Sequence, residues 1–176
     1  GTHYVIQITD KDNSSAPHFV ELGHHQPAEL SSCMRDKINK VIPLLLSEIG
    51  YSNGASHIEV KYQDNKLYLI EINLRGGGDE ISNRLVQMST GIDYLRGMID
   101  VALGVFKNPV QVSEPAYAGI YYLCKQTEHL LPFFKQAKDK DWFVEGRIST
   151  EELKESHSNY ERDGYLIYKS DHKIIP

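Results

Sequence analysis

The 176-residue chain carries 19 Lys and Arg against 24 Asp and Glu, a formal charge of −5, and 40% of its residues are hydrophobic. This suits one well-buried domain, or one domain with a small appendage. With no basic run and no apolar stretch near the ~20 residues that span a bilayer, it argues against nucleic acid and membrane as main partners. Cys33 and Cys124 stand far apart in apolar-periodic segments, which reads as two buried thiols in a cytoplasmic protein rather than a disulfide framework.

The opening residues predict a strand at Tyr4–Thr9, a polar turn over Asp10–Ser15 and a short strand at His18–Leu22. The first strand begins with no approach segment, as though something preceded it. From Ser31 to Ile49 the residues Met34, Ile38, Val41, Ile42, Leu45, Leu46 and Ile49 keep the rhythm of an amphipathic helix. Gly50 is placed to cap that helix, and Pro43 to kink it. Two strands follow, Ser56–Tyr62 and Leu67–Asn73, joined across Asp64-Asn65-Lys66 as a three-residue hairpin loop. After Gly76-Gly77-Gly78 a helical stretch covers Ser82–Thr90 and ends at Gly91, and Asp93 caps another running to Leu103. Further on, Ala116–Cys124, Trp142–Arg147 and Tyr165–Tyr168 read as strands. Ser149-Thr150-Glu151-Glu152 reads as the capping-box start of a short helix.

The hairpin carries the chemistry. With Gln63 paired to Leu67, Tyr62 faces Tyr68, Glu59 faces Glu71 and His57 faces Asn73. The period of two puts His57, Glu59, Glu71 and Asn73 on one face. Facing carboxylates repel unless a cation lies between them, and oxygen-only ligands suit Mg²⁺ or Mn²⁺. A plain solvated hairpin face is the competing account. Against it, Arg75 follows on the same side, and three glycines allow close backbone approach to an anion. A cation site, a guanidinium and a glycine loop together are what polyphosphate chemistry requires, although no Walker or dinucleotide motif is present.

Glu71-Ile72-Asn73-Leu74-Arg75, with Glu59 one strand earlier and Thr90-Gly91-Ile92-Asp93 downstream, resembles the signature of the ATP-grasp superfamily. Leu74 stands where proline is common. Ile8-Thr9-Asp10-Lys11, Phe19-Val20-Glu21-Leu22-Gly23-His24 and Pro27-Ala28 are similar to the carboxylate–amine ligase and carbamoyl-phosphate synthetase-like branch. The resemblance spans about Tyr4 to Gly104. It implies that Glu59, Glu71 and Asn73 hold magnesium on the phosphates of ATP, that Gly76, Gly77 and Gly78 line the nucleotide site, and that Arg75 stabilises the transferred phosphoryl group. It implies an acyl phosphate made from a carboxylate and displaced by an amine, with an amino acid as substrate. It also implies a nucleotide-gripping amino-terminal lobe for which these residues have no room.

The expected architecture is α+β. An antiparallel sheet is backed by the Ser31–Ile49 helix and the helices after the glycine loop. Residues 1–108 are the carboxy-terminal ATP-grasp lobe, and 109–176 an appended lid or small subdomain. A homodimer is left open. Two other readings stand beside the ligase: bicarbonate activation of the carbamoyl-phosphate synthetase or biotin carboxylase type, and a non-catalytic nucleotide- or metal-binding module. Of the remaining residues, adjacent His24 and His25 point to opposite strand faces and share no ion. His18 lies upstream of them, and His57 orients a carboxylate or is a satisfied surface histidine. Lys11, Asp79 and Arg84 lie near the cleft in sequence, Asp79 as a contact for a substrate amine or as a solvated loop residue. Tyr117, Tyr121 and Tyr122 pack a strand, and Cys33 has no neighbour to activate it.

Overall fold

The structure is a computed structural model that describes residues 2–176. Five antiparallel strands form the main sheet in the order β1 (Asp10–Asn13), β2 (Glu21–Gln26), β5 (Tyr117–Leu123), β7 (Gly164–Ser170), β6 (Phe143–Ile148). The hairpin of β3 (His57–Gln63) and β4 (Lys66–Asn73) stands as a separate two-stranded sheet. Residues on both sides of 108/109 therefore share one sheet, because β5 pairs directly with β2.

β5 is apolar nearly throughout because both of its faces are covered. On one side Tyr121 and Leu123 pack with Leu130, Phe134, Leu166 and Tyr168. On the other, Ala118, Ile120 and Tyr122 pack with Ile81, Leu85, Val86 and Ile167. The first cluster lies under a helical run absent from the sequence expectations. It consists of 3₁₀ turns on either side of α4 (Leu131–Gln136). The second lies under a π-helical turn, Ile81–Leu85, that passes into α2 (Val86–Thr90).

α1 (Ser32–Glu48) carries Pro43 inside it, and the Ser31 hydroxyl caps it by accepting from the Met34 N–H. It is tied to the hairpin by Lys37, whose Nζ donates to Asn65 O at 2.6 Å and lies over the Tyr62 ring. Cys33 is exposed, contrary to expectation. It sits one position off the stripe that buries Ile38 and Leu46. Asp93 caps α3 (Tyr94–Ala102) by accepting from the Arg96 N–H, and Gly91 caps α2 at φ +73°.

Three expectations fail. Tyr4–Thr9 has no strand ladder. It runs along a cleft, anchored by Ala28 N–H donating to Ile8 O and by Gln7 Nε2 donating to Ser89 Oγ. The strand is instead the all-polar Asp10–Asn13, which has poor intrinsic β preference and is set by its pairing with β2, a strand that begins at Glu21 rather than His18. At Ser149–Glu152 the Thr150 hydroxyl accepts from the Glu152 N–H, closing a local turn in place of a helix.

The last third reaches back to the glycine loop through Arg162. Its guanidinium donates to both oxygens of Asp79 at 2.8 and 2.9 Å and to Glu21 O at 3.2 Å, and lies 3.5 Å over the Tyr122 ring. Burial disfavours ionised Asp79, yet the contacts from His24 and Arg162 outweigh it and hold the carboxyl far below the usual range.

Two stability predictions follow from these contacts. A Cβ on Gly91 would lie 1.8 Å from Ser113 O, whereas one on Gly50 would meet nothing within 4 Å. In urea unfolding, Gly91→Ala is expected to cost roughly 2–4 kcal/mol and Gly50→Ala only about 1, the left-handed strain alone. Equal losses would contradict the close-approach argument. The second concerns Asp79. Its folded pKa is depressed, so its contribution is present above the unfolded value of ~3.9 and is lost as pH falls below it. Asp79→Asn should cost roughly 2 kcal/mol at neutral pH, less than a fully buried pair, and should flatten the fall in stability below about pH 4. An unaltered acid limb in the variant counts against the pair.

Candidate functional site

A cleft of about 1600 Å³ is lined by the 2–11 segment, β2, α1, the hairpin, the glycine loop and Arg162. The hairpin places its carboxylates as the sequence pattern requires, by a different route. The turn is the two-residue Asp64-Asn65, with φ +50° and +61°, so Gln63 pairs with Lys66. Ile70 is then left unpaired as a bulge, and the register returns to Glu59 opposite Glu71 and His57 opposite Asn73. His57, Glu59, Glu71, Asn73 and Arg75 all line the cleft. Opposite positions in such a ladder hold their Cβ atoms ~4.5–5.5 Å apart.

The pairing partners are partly in place. Lys11 Nζ lies 2.5 Å from Glu59 Oε2 and 3.1 Å from Glu21 Oε1. Burial lowers the Lys11 pKa, but its bonds to Glu59 and Glu21 outweigh this and raise it. His57 Nε2 is 3.6 Å from Glu59 Oε1, an ion-pair distance rather than a hydrogen bond. Arg75 is exposed and donates from Nη1 to Gly76 O at 2.8 Å.

The three glycines have separate reasons. A Cβ at Gly76 would lie 2.9 Å from Ser82 Oγ, and one at Gly77 the same distance from His57 Nδ1, while Gly78 has open space. None of the three has positive φ. That conformation falls instead on Asp79 (φ +49°) and Glu80 (φ +63°), where non-glycine residues are strained.

His24 and His25 do face opposite sides. His25 is satisfied by Tyr168 Oη and Asp12 Oδ2, both at 3.1 Å. His24 faces the cleft, with Nε2 3.3 Å from Glu21 Oε2 and 3.5 Å from Asp79 Oδ2. Neither contact has hydrogen-bond geometry, and both ring nitrogens are buried without a hydrogen-bond partner among the described residues. Burial opposes the charged ring, but the two carboxylates prevail and raise its pKa. Glu21 is held below its usual value, first by His24 and against the cost of burial.

Sequence spacing missed this group because strict alternation sends residues 21 and 24 to opposite faces. Asn13 pairs with Glu21 and Asp12 with Gly23, so Leu22 bulges out and the two side chains share a side. Arg84 lies elsewhere, paired with Glu145 Oε2 at 2.9 Å, and the His18 ring packs on His157. Tyr121 and Tyr122 are buried in the sheet core, as their spacing implied.

Residues 1–83 match a family model described as the ATP-grasp domain. Among curated proteins none matches the chain in sequence. Phosphoribosylglycinamide synthetase from Anaerococcus prevotii superposes with a TM-score of 0.72 at 16% identity, over 94% of this chain and 44% of its own. L-amino acid ligase from Bacillus licheniformis gives 0.71 at 23% identity, over 95% of this chain and 43% of its own. Biotin carboxylase from Campylobacter jejuni, solved as a β,γ-ATP complex, gives 0.56 at 20% identity, over 92% and 37%. The chain thus spans under half the length of these proteins. It shares the fold of these proteins, and its first 83 residues are similar to the ATP-grasp domain.

Proposed function

We propose that the cleft is the metal- and phosphate-facing half of a ligase site that uses ATP and Mg²⁺, or Mn²⁺, to convert a carboxylate to an acyl phosphate and join it to an amine. The observation that carries this reading is the register that sets Glu59 opposite Glu71, with Asn73 on the same face, at a cleft also lined by Arg75. Two carboxylates and an amide oxygen make an all-oxygen donor set, which fits a hard divalent ion and leaves positions for phosphate oxygens. When bound, the ion would neutralise charge on the β- and γ-phosphates.

The chain's own residues do the rest. Lys11 holds Glu59 in the cleft. Arg75 is an exposed guanidinium that can leave Gly76 O for a phosphoryl oxygen. Gly76 and Gly77 keep the loop closely packed on Ser82 and His57, and Gly78 leaves open backbone for the nucleotide. In this reading residues 1–108 are the carboxy-terminal lobe, residues 109–176 complete its sheet, and a nucleotide-gripping lobe lies outside the 176 residues. The protein works in the cytoplasm. In this reading an amino acid is the substrate class, the one named for the L-amino acid ligase that shares the fold.

Incubated with ATP, Mg²⁺ and a panel of amino acids, the isolated chain should release no phosphate, because an open half-site neither aligns the carboxylate nor excludes water. Substrate-stimulated release that vanishes in Glu71→Gln would overturn the half-site assignment. In a protein carrying both lobes, Glu71→Gln and Arg75→Ala should each lower kcat/KM by roughly 10²–10³-fold, with unfolding midpoints nearly unchanged because both side chains are exposed. Retained turnover with a large loss of stability would assign them a structural role.

A further inference from the structure

Glu59, Glu71 and Asn73 do not account for every cation-seeking group in the cleft. Glu21 and Asp79 come from β2 and the loop after the glycines, and His24 points between them. His24 is 1% exposed and, among the described residues, lacks a hydrogen-bond partner on either nitrogen. A buried imidazole is ordinarily satisfied, and an orphaned nitrogen aimed at two carboxylates calls for a ligand.

We propose that Glu21 Oε2, His24 Nε2 and Asp79 Oδ2 form a transition-metal site of the Zn²⁺ class, separate from the hard-cation set on the hairpin. The three donor atoms lie within 4.8 Å of one another. The nitrogen stands 3.3 and 3.5 Å from the two oxygens. Metal–ligand bonds of ~2.0–2.1 Å at tetrahedral angles separate donors by ~3.3–3.4 Å. An octahedral Mg²⁺ would bring neighbouring donors to ~2.9 Å, and imidazole in any case favours zinc-like ions over magnesium.

The surroundings hold this geometry without using up the donors. Each carboxylate has about four lone-pair directions. Lys11 takes one on Glu21 Oε1, and Arg162 takes one on each oxygen of Asp79. Arg162 also binds Glu21 O, so a single guanidinium fixes both segments, as outer partners of metal ligands do. All three donor residues line the cleft, so the fourth coordination position falls to water or to a donor atom of a substrate. The site stands whether or not the hairpin serves a ligase.

The test is a titration of the chelator-stripped 176-residue chain with Zn²⁺ by calorimetry and with Co²⁺ by visible absorption. The expected result is one equivalent bound, with the intense Co²⁺ bands of a tetrahedral site. Glu21→Gln, which keeps the side chain's size at this partly exposed position, should weaken Zn²⁺ at least ~10-fold, and His24→Ala should abolish the bands. Glu71→Gln should leave Zn²⁺ affinity unchanged, separating this site from the hairpin set. No stoichiometric binding, a weak octahedral Co²⁺ spectrum, or affinity unaltered in folded Glu21→Gln would each overturn the proposal.

Discussion

Glu21, Glu59, Glu71 and Asp79 line one cleft, and the fold must hold these carboxylates there against mutual repulsion. Two cations from distant parts of the chain make that tolerable. Lys11 bridges Glu21 and Glu59, and Arg162 grips Asp79 with both nitrogens. Glu71 lacks a comparable partner among the described ion pairs and stands exposed on the hairpin. The balance therefore leaves negative charge at the hairpin end, where the all-oxygen donor set lies. Near Glu21 and Asp79 the two fixed cations and a buried imidazole share the compensation. One cleft thus presents two electrostatically different corners.

Both corners depend on a strand carrying one residue more than its partner. Ile70 in β4 and Leu22 in β2 are each left out of the ladder, and each bulge decides which side chains share a face. The hairpin was legible because a turn one residue shorter than expected and a bulge one residue long cancel, returning Glu59 to Glu71. The Glu21–His24 pair was not legible, since alternation alone separates odd-spaced residues and nothing local marks Leu22 as the extra one. Ser31, Gly50, Gly91 and Asp93 were readable because caps and left-handed turns rest on the chemistry of one or two residues. Asp10–Asn13 was not, because a polar edge strand takes its conformation from the partner it meets. The same limit applies to Tyr4–Thr9, where apolar alternation reflects packing along a cleft instead of a ladder.

The last third illustrates a different gap between sequence and structure. Its residues read as strands of about the right extent, but no periodicity tells which sheet they join. In the fold, β5 enters between β2 and β7 with side chains buried on both faces, so the sheet that carries Glu21 and His24 cannot close without it. Arg162 then reaches back from the last third to the loop after the glycines. It lies over Tyr122, reaches Glu21 O, and fixes the carboxylate of a residue held at φ +49°. Left-handed backbone at two successive non-glycine residues persists only when surrounding contacts over-determine it, and the bidentate Arg162–Asp79 pair supplies such contacts on the loop that leads out of Arg75. The geometry of the loop after the glycines is therefore set partly from the last third of the chain.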